Sequence, residues 1–126
     1  MNTMDQKLEA FRQLLEIMDD LRVKCPWDRK QTNETLRNLT IEETYELVDA
    51  ITENRPVDIK KELGDLMLHI VFYARIASEN GDFDIGDVIQ SLNQKLIYRH
   101  PHVFGDIKVN DHEDVKKNWE ELKMRE

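Results

Sequence analysis

The chain has one cysteine, Cys25, in 126 residues, so an internal disulfide is excluded. Long apolar runs are missing too. The longest, Leu66 to Ala77, spans twelve residues and contains His69 and Arg75, where a membrane-spanning helix needs about 20 apolar residues. No charged-then-apolar leader ending in a cleavage site is visible. With the lone cysteine, this sets the expectation of a cytoplasmic protein. Basic charge is also in short supply, 18 Lys and Arg against 26 Asp and Glu, for a net charge of −8. Affinity for nucleic acids and anionic membranes comes from summed basic charge, so neither is expected as a partner. An acidic protein can still hold a phosphorylated small molecule if metal ions neutralise the encounter. Strand-like alternation and internal repeats are absent. What remains is an all-α reading: one domain over residues 1–126, large enough for a core without staples.

Helical periodicity organises most of the chain. Thr3 with Gln6 forms a capping box, and Leu8, Phe11, Leu14, Leu15, Met18 and Leu21 recur at the spacing of one buried stripe. Cys25-Pro26-Trp27-Asp28 breaks that helix, because proline disfavours helical geometry in the residue before it. A loop and a short helix are expected between Asp28 and Asn38. Thr40 with Glu43 reads as a second capping box, opening a helix to about Asn54. Arg55-Pro56 marks a turn. A helix follows from Val57 to Glu79, ended by Asn80-Gly81 and apolar nearly all round from Leu63, hence expected at the centre of the core. Ile85, Val88, Ile89, Leu92 and Leu96 form the apolar face of the next helix, and Val115, Trp119 and Leu122 that of a last one capped by Asp111. The expectation is a bundle of four main helices and one short one.

Acids carry the chemistry. Glu42, Glu43 and Glu46 read E-E-x-x-E, and after a fifteen-residue gap Glu62 and Asp65 read E-x-x-D. Residues three apart share one face of a helix. At about 100° per residue from Glu43, Leu47 falls at about 40° and Ala50 at about 340°, which puts Glu43 inside the apolar sector. Glu46, at its border, is read as facing inward as well, while Glu42, Asp49 and Glu53 fall on the solvent side. If the two helices pack antiparallel, Glu43, Glu46, Glu62 and Asp65 meet in one small volume. At about 6 Å and an effective dielectric of about 20, each pair repels by on the order of 3 kcal/mol. Such a set calls for protons or a cation, and oxygen-only ligands favour Mg²⁺ or Mn²⁺ over zinc. The plainer reading is that acids enrich the first turn of a helix and close a capping box. Glu62 and Asp65 lie inside a helix, beside an apolar face, where that explanation does not reach.

Other signals are weaker. His69 shares the stripe of Glu62, Asp65, Leu66 and Tyr73, and reads first as a buried, hydrogen-bonded histidine, with extension of the metal set as the alternative. The Glu-x-x-His pairs of helical di-iron proteins are absent. Asp82 to Asp87 lacks the glycine and glutamate of a calcium loop. His100 and His102 read as a structural turn and Cys25 as a small hydrophobe. Lys95 and Arg99, one turn apart, either pair with surface acids or grip phosphate oxygens. Trp27 and Trp119 either pack or stack on a base.

In this order the motifs resemble one family. Cys25-Pro26-Trp27-Asp28 with Gln31-Thr32, Leu39 to Glu46, Glu62-Leu63-Gly64-Asp65-Leu66, Val71 to Ala74, and Arg99 to Phe104 are similar to the MazG nucleoside triphosphate pyrophosphohydrolases, of the all-α NTP pyrophosphatase superfamily. The resemblance runs from about Leu15 to Lys123. It implies Mg²⁺-dependent cleavage of a nucleoside triphosphate to the monophosphate and pyrophosphate, with clearance of non-canonical nucleotides as a role. It also implies a homodimer in which both chains build the catalytic bundle. Glu43, Glu46, Glu62 and Asp65 match the family's metal ligands and Glu42 its accessory acid. Lys95, Arg99, Trp119 and Lys123 match positions that contact the nucleotide. Many members carry two such domains where this chain has one. Two alternatives stay open: a non-catalytic helical dimer with merely solvated acids, and a neighbouring superfamily enzyme preferring dUTP, dCTP or phosphoribosyl-ATP.

Overall fold

A computed structural model describes all residues, 1–126, as seven helices without a strand: α1 (Met4–Lys24), α2 (Pro26–Arg29), α3 (Asn33–Thr52), α4 (Pro56–Glu79), α5 (Ile85–Arg99), α6 (Pro101–Phe104) and α7 (His112–Arg125). The all-α expectation holds, but the count differs. Five helices are long, and α2 and α6 are single turns begun by Pro26 and Pro101 at their first positions. Proline disrupts a helix interior yet suits its first turn, where its missing N–H has no partner to lose. The break read at Pro26 is therefore also a helix start.

The chain divides into two compact units, Met1–Asp84 and Ile85–Glu126. In the first, α1 packs on α2 and α4, and α3 runs along α4. Met18, Leu36, Val71, Phe72 and Ile76 form its core, with Phe11, Leu14, Leu15 and Tyr73 packed around them. Thr3 caps α1 with the reciprocal Gln6 bond. The cap of α3 lies earlier than Thr40. Thr32 accepts from the Thr35 N–H while the Thr35 hydroxyl oxygen accepts from the Thr32 N–H. The expected short helix is thus the first two turns of α3, and Thr40, in mid-helix, turns its hydroxyl to the Leu36 carbonyl at 3.0 Å. A threonine two turns upstream satisfies the same capping chemistry, and continuing the helix buries Leu36.

The hairpin between α3 and α4 is closed by Asn54 at φ 54°, with the Arg55 N–H bonded to the Ala50 carbonyl at 3.1 Å. Gly81 at φ 75° ends α4 in the same way, the Asp82 N–H reaching the Ala77 carbonyl at 3.0 Å. Both are left-handed C-terminal caps, which glycine adopts without strain and asparagine tolerates. The Cys25–Thr32 motif has a structural role here. Arg22 donates to the carbonyls of Asp28, Arg29 and Gln31 at 2.7, 3.2 and 2.9 Å, and to both carboxylate oxygens of Glu79 at 2.7 and 2.9 Å. Gln31, itself buried, donates to the Trp27 carbonyl at 2.9 Å. Side chains from α1 and α4 therefore pin the connection that delivers α3.

Two burial expectations are corrected. Beyond Leu63, α4 is not covered all round: Val71, Phe72, Ala74, Ile76 and Ala77 are buried, but Leu63, Met67, Leu68 and Ile70 are exposed. On α5, Val88, Ile89, Leu92 and Leu96 are likewise exposed. A helix packed on one side by its neighbours covers one stripe, and apolar residues on its other faces need a further surface. In the second unit α5 packs against α6 and α7, and His100 and Trp119 meet edge to face with ring centroids 4.9 Å apart.

Candidate metal centre

The α3–α4 hairpin brings the two acidic motifs together. Glu43 on α3 and Glu62 and Asp65 on α4 each offer a carboxylate oxygen, and the three oxygens lie within 4.8 Å of one another. Glu62 is buried, Glu43 and Asp65 half-buried. Glu46 and Glu42 are exposed. Glu46 stands close enough for its charge to act on Glu43. The wheel's inward reading of Glu43 and outward reading of Glu42 agree with their burial, but its inward reading of Glu46 is corrected: that side chain, at the border of the apolar sector, is exposed because no neighbouring helix covers it there.

Two oxygens of this cluster, Glu43 Oε2 and Glu62 Oε2, are buried without a hydrogen-bond partner. A buried carboxylate oxygen left unpaired is costly, and a cation is its natural complement. The cluster shows the strain electrostatically. Burial, then the charge of Glu46, then the Glu62 hydrogen bond and the charges of Asp65 and Glu62 push the Glu43 carboxyl up to about 7. Burial also opposes the charge on Glu62, but hydrogen bonds with Lys61, Glu46 and Glu43 and the Lys61 charge outweigh it, leaving that group below its ordinary value. Of this pair, Glu43 is therefore the carboxyl that takes up a proton first as pH falls. An all-oxygen donor set with unpaired buried oxygens fits a hard divalent cation such as Mg²⁺ or Mn²⁺.

Lys61 was not singled out by the motifs. Its ammonium lies 3.3 Å from Glu62 Oε1 and 3.9 Å from Asp65 Oδ2. The signal was present, since Lys61 and Asp65 are one turn apart on a helix. Behind the acids, His69 is buried and linked to Thr40 Oγ1 at 2.6 Å, and Tyr73 bonds the same oxygen. The Leu36 carbonyl can only accept, so it takes the single hydroxyl proton of Thr40, and His69 Nδ1–H and Tyr73 O–H both donate to Thr40. Burial holds the His69 pKa down, against the opposing charge of Asp65. His69 is the buried, hydrogen-bonded histidine expected, tying α4 to α3 directly behind the carboxylates.

The bases and aromatics assigned to nucleotide contact lie in the second unit. Arg99 sits over the Trp119 ring, 5.0 Å from its centroid, and pairs with the Glu126 carboxylate at 2.6 and 2.8 Å. Glu126 is held below its ordinary pKa first by that hydrogen bond and also by the charges of Arg99 and Lys95. Lys95 and Lys123 are exposed. In this unit Arg99 therefore contacts both the Trp119 ring and the Glu126 carboxylate, and the Lys95 charge also acts on Glu126.

A family profile, the MazG nucleotide pyrophosphohydrolase domain, matches residues 31–104, more than half of the chain. The chain belongs to the MazG family. The matched span holds all five acids of the two motifs. Among curated relatives, the chain is 51% identical over 118 residues to the nucleoside triphosphate pyrophosphohydrolase/pyrophosphatase MazG of Thermotoga maritima, covering 92% of this chain and 45% of that protein. It is 44% identical over 122 residues to the nucleoside triphosphate pyrophosphohydrolase of Escherichia coli K12, covering 94% of this chain and 46% of that protein. The chain thus spans about half the length of these relatives. A crystal structure of a mazG-related protein from Thermotoga maritima superposes with a TM-score of 0.75 at 31% identity, over 90% of this chain and 98% of that one. No helix of the chain is long and apolar enough to cross a membrane.

Proposed function

We propose that the chain hydrolyses nucleoside triphosphates to the monophosphate and pyrophosphate with Mg²⁺, Mn²⁺ serving as a substitute. The observation that carries this reading is the pair of buried, unpartnered oxygens on Glu43 and Glu62, inside the acidic motifs of a pyrophosphohydrolase family. Glu43, Glu46, Glu62 and Asp65 would hold the cation. When bound, it would polarise phosphate oxygens and lower the pKa of a water. Glu42, exposed and adjacent in sequence to Glu43, would orient or deprotonate the attacking water. Lys95 and Arg99 would bind phosphate oxygens, and Trp119 and Lys123 would contact the nucleotide, roles that rest on the family resemblance. For Arg99 to do so, a phosphate must compete with Glu126, a like exchange of one bidentate acceptor for another.

The same reading includes a homodimer. Ile41, Tyr45 and Val48 recur at i, i+4 and i+7 on α3, as do Leu63, Met67 and Ile70 on α4, and all six are exposed. Contiguous exposed apolar faces of this kind mark interaction surfaces. The proposed setting is the cytoplasm, where nucleoside triphosphates are abundant, and the proposed role is clearance of non-canonical nucleotides. Pyrophosphate release from a panel of canonical and damaged nucleotides, with Mg²⁺, for the wild type and Glu46→Gln, tests the reading. The wild type should release pyrophosphate and the variant should lose most of the rate. Undiminished release by Glu46→Gln would remove the acid cluster from the chemistry.

A further inference from the structure

Lys61 is 68% exposed, and its ammonium pairs with Glu62 Oε1 and Asp65 Oδ2, while the other Glu62 oxygen is buried with no partner. We propose that Lys61 couples metal binding to nucleotide binding, acting as a displaceable counter-cation on the carboxylates and as a phosphate contact once displaced. The inference rests on the metal reading of the acid cluster. A divalent cation seated among Glu43, Glu62 and Asp65 would place two positive charges beside the same two carboxylates that Lys61 touches and repel the ammonium from them. The stem of Lys61 is flexible and solvated, so it can swing away without disturbing the core. Its backbone stays on α4 beside Glu62, so the freed ammonium remains next to the site. A triphosphate held there offers it new oxygens. Metal alone therefore binds at the expense of two ion pairs, whereas metal with triphosphate restores a partner to Lys61. The two ligands consequently reinforce one another, and the reinforcement is reciprocal. Lys61 acts here as a positioning and coupling residue.

The experiment is calorimetric titration of Mn²⁺ into the wild type, Lys61→Met, Lys60→Met and Glu62→Gln, with and without a non-hydrolysable nucleoside triphosphate analogue. Lys61→Met should bind Mn²⁺ alone about three- to tenfold more tightly, the range expected for removing exposed ion pairs. The ratio of Mn²⁺ affinities with and without the analogue should shrink by a similar factor. Lys60→Met, a change at the preceding exposed lysine, should match the wild type, and Lys61→Arg should retain the coupling. A Lys61→Met protein with unchanged or weaker Mn²⁺ binding, or with the wild-type coupling ratio, would overturn the proposal. Lys61→Gln gives the same contrast should methionine at this exposed position impair folding. The underlying metal reading fails separately, if Glu62→Gln binds Mn²⁺ as well as the wild type does. Loss of Mn²⁺ binding in Glu62→Gln beside an unaltered Lys61→Met would refute the Lys61 role alone.

Discussion

Replacing Glu43 by glutamine should stabilise the metal-free protein above neutral pH, the reverse of what removing a half-buried polar contact ordinarily does. The Glu43 carboxyl has one buried oxygen without a partner, and its neighbours push its pKa from 4.5 up to about 7. A carboxylate whose pKa is raised on folding contributes stability that is complete below the unfolded value and lost as pH rises through the folded one. Between pH 4.5 and about 7 the metal-free wild type therefore grows less stable. The full shift of about 2.5 units corresponds to a ceiling of roughly 3.4 kcal/mol at about 1.36 kcal/mol per unit. Solvent screening at the open edge near Glu46 reduces this to about 1–2 kcal/mol. Glutamine keeps the shape and never ionises. In a chelator at about pH 8, Glu43→Gln should melt roughly 4–8 °C above the wild type, followed by far-UV circular dichroism. At about pH 4, below the unfolded value, the side chain is neutral in both states and the difference should disappear. Divalent cation should reverse the order, stabilising the wild type by mass action and the variant far less. A variant less stable than the wild type at about pH 8 without metal, or an equal gap at both pH values, would refute the reasoning.

Thr40→Val removes the shared acceptor of His69 and Tyr73; unfolding in urea should show a loss of about 1–3 kcal/mol, the usual cost of stranding buried donors. Arg22→Met abandons three carbonyls and the Glu79 carboxylate, so the same measurement should show about 2–4 kcal/mol lost near pH 7. The Arg22 hydrogen bond is also the main cause holding the Glu79 pKa below 4.5. The pair's stability is therefore present above that pH and fades as pH falls through the lowered value, narrowing the gap between variant and wild type in acid. Val48→Asp places a charge on the exposed apolar stripe of α3; light scattering should give a dimer mass for the wild type and a smaller one for the variant, and equal masses would detach this face from assembly.

The sequence alone determined the helical class, the stripe of α1 from Phe11 to Leu21 (Leu8, expected on it, is exposed), the direction in which Glu43 and Glu42 face, and the buried character of His69. These follow from a 3.6-residue period and from which side chains avoid water, both local to one helix. Pairing of the acidic motifs was legible too, as two short spacings on consecutive helices that could face one another. The start of α3 was not. Thr32 and Thr40 both suit a cap, and only burial of Leu36 against α4, with His69 and Tyr73 claiming the Thr40 hydroxyl, decides between them. The coverage of α4 and α5 was equally out of reach, because an apolar residue does not declare which surface covers it. Tertiary structure also decided how the acids differ: Glu62 buried, Glu43 with its carboxyl pKa pushed up, Glu46 exposed and Lys61 paired with Glu62 and Asp65 from the solvent side. Spacing lists which charges share a face. Desolvation and the neighbours across the hairpin set what each charge costs, and those exist only once α3 lies against α4.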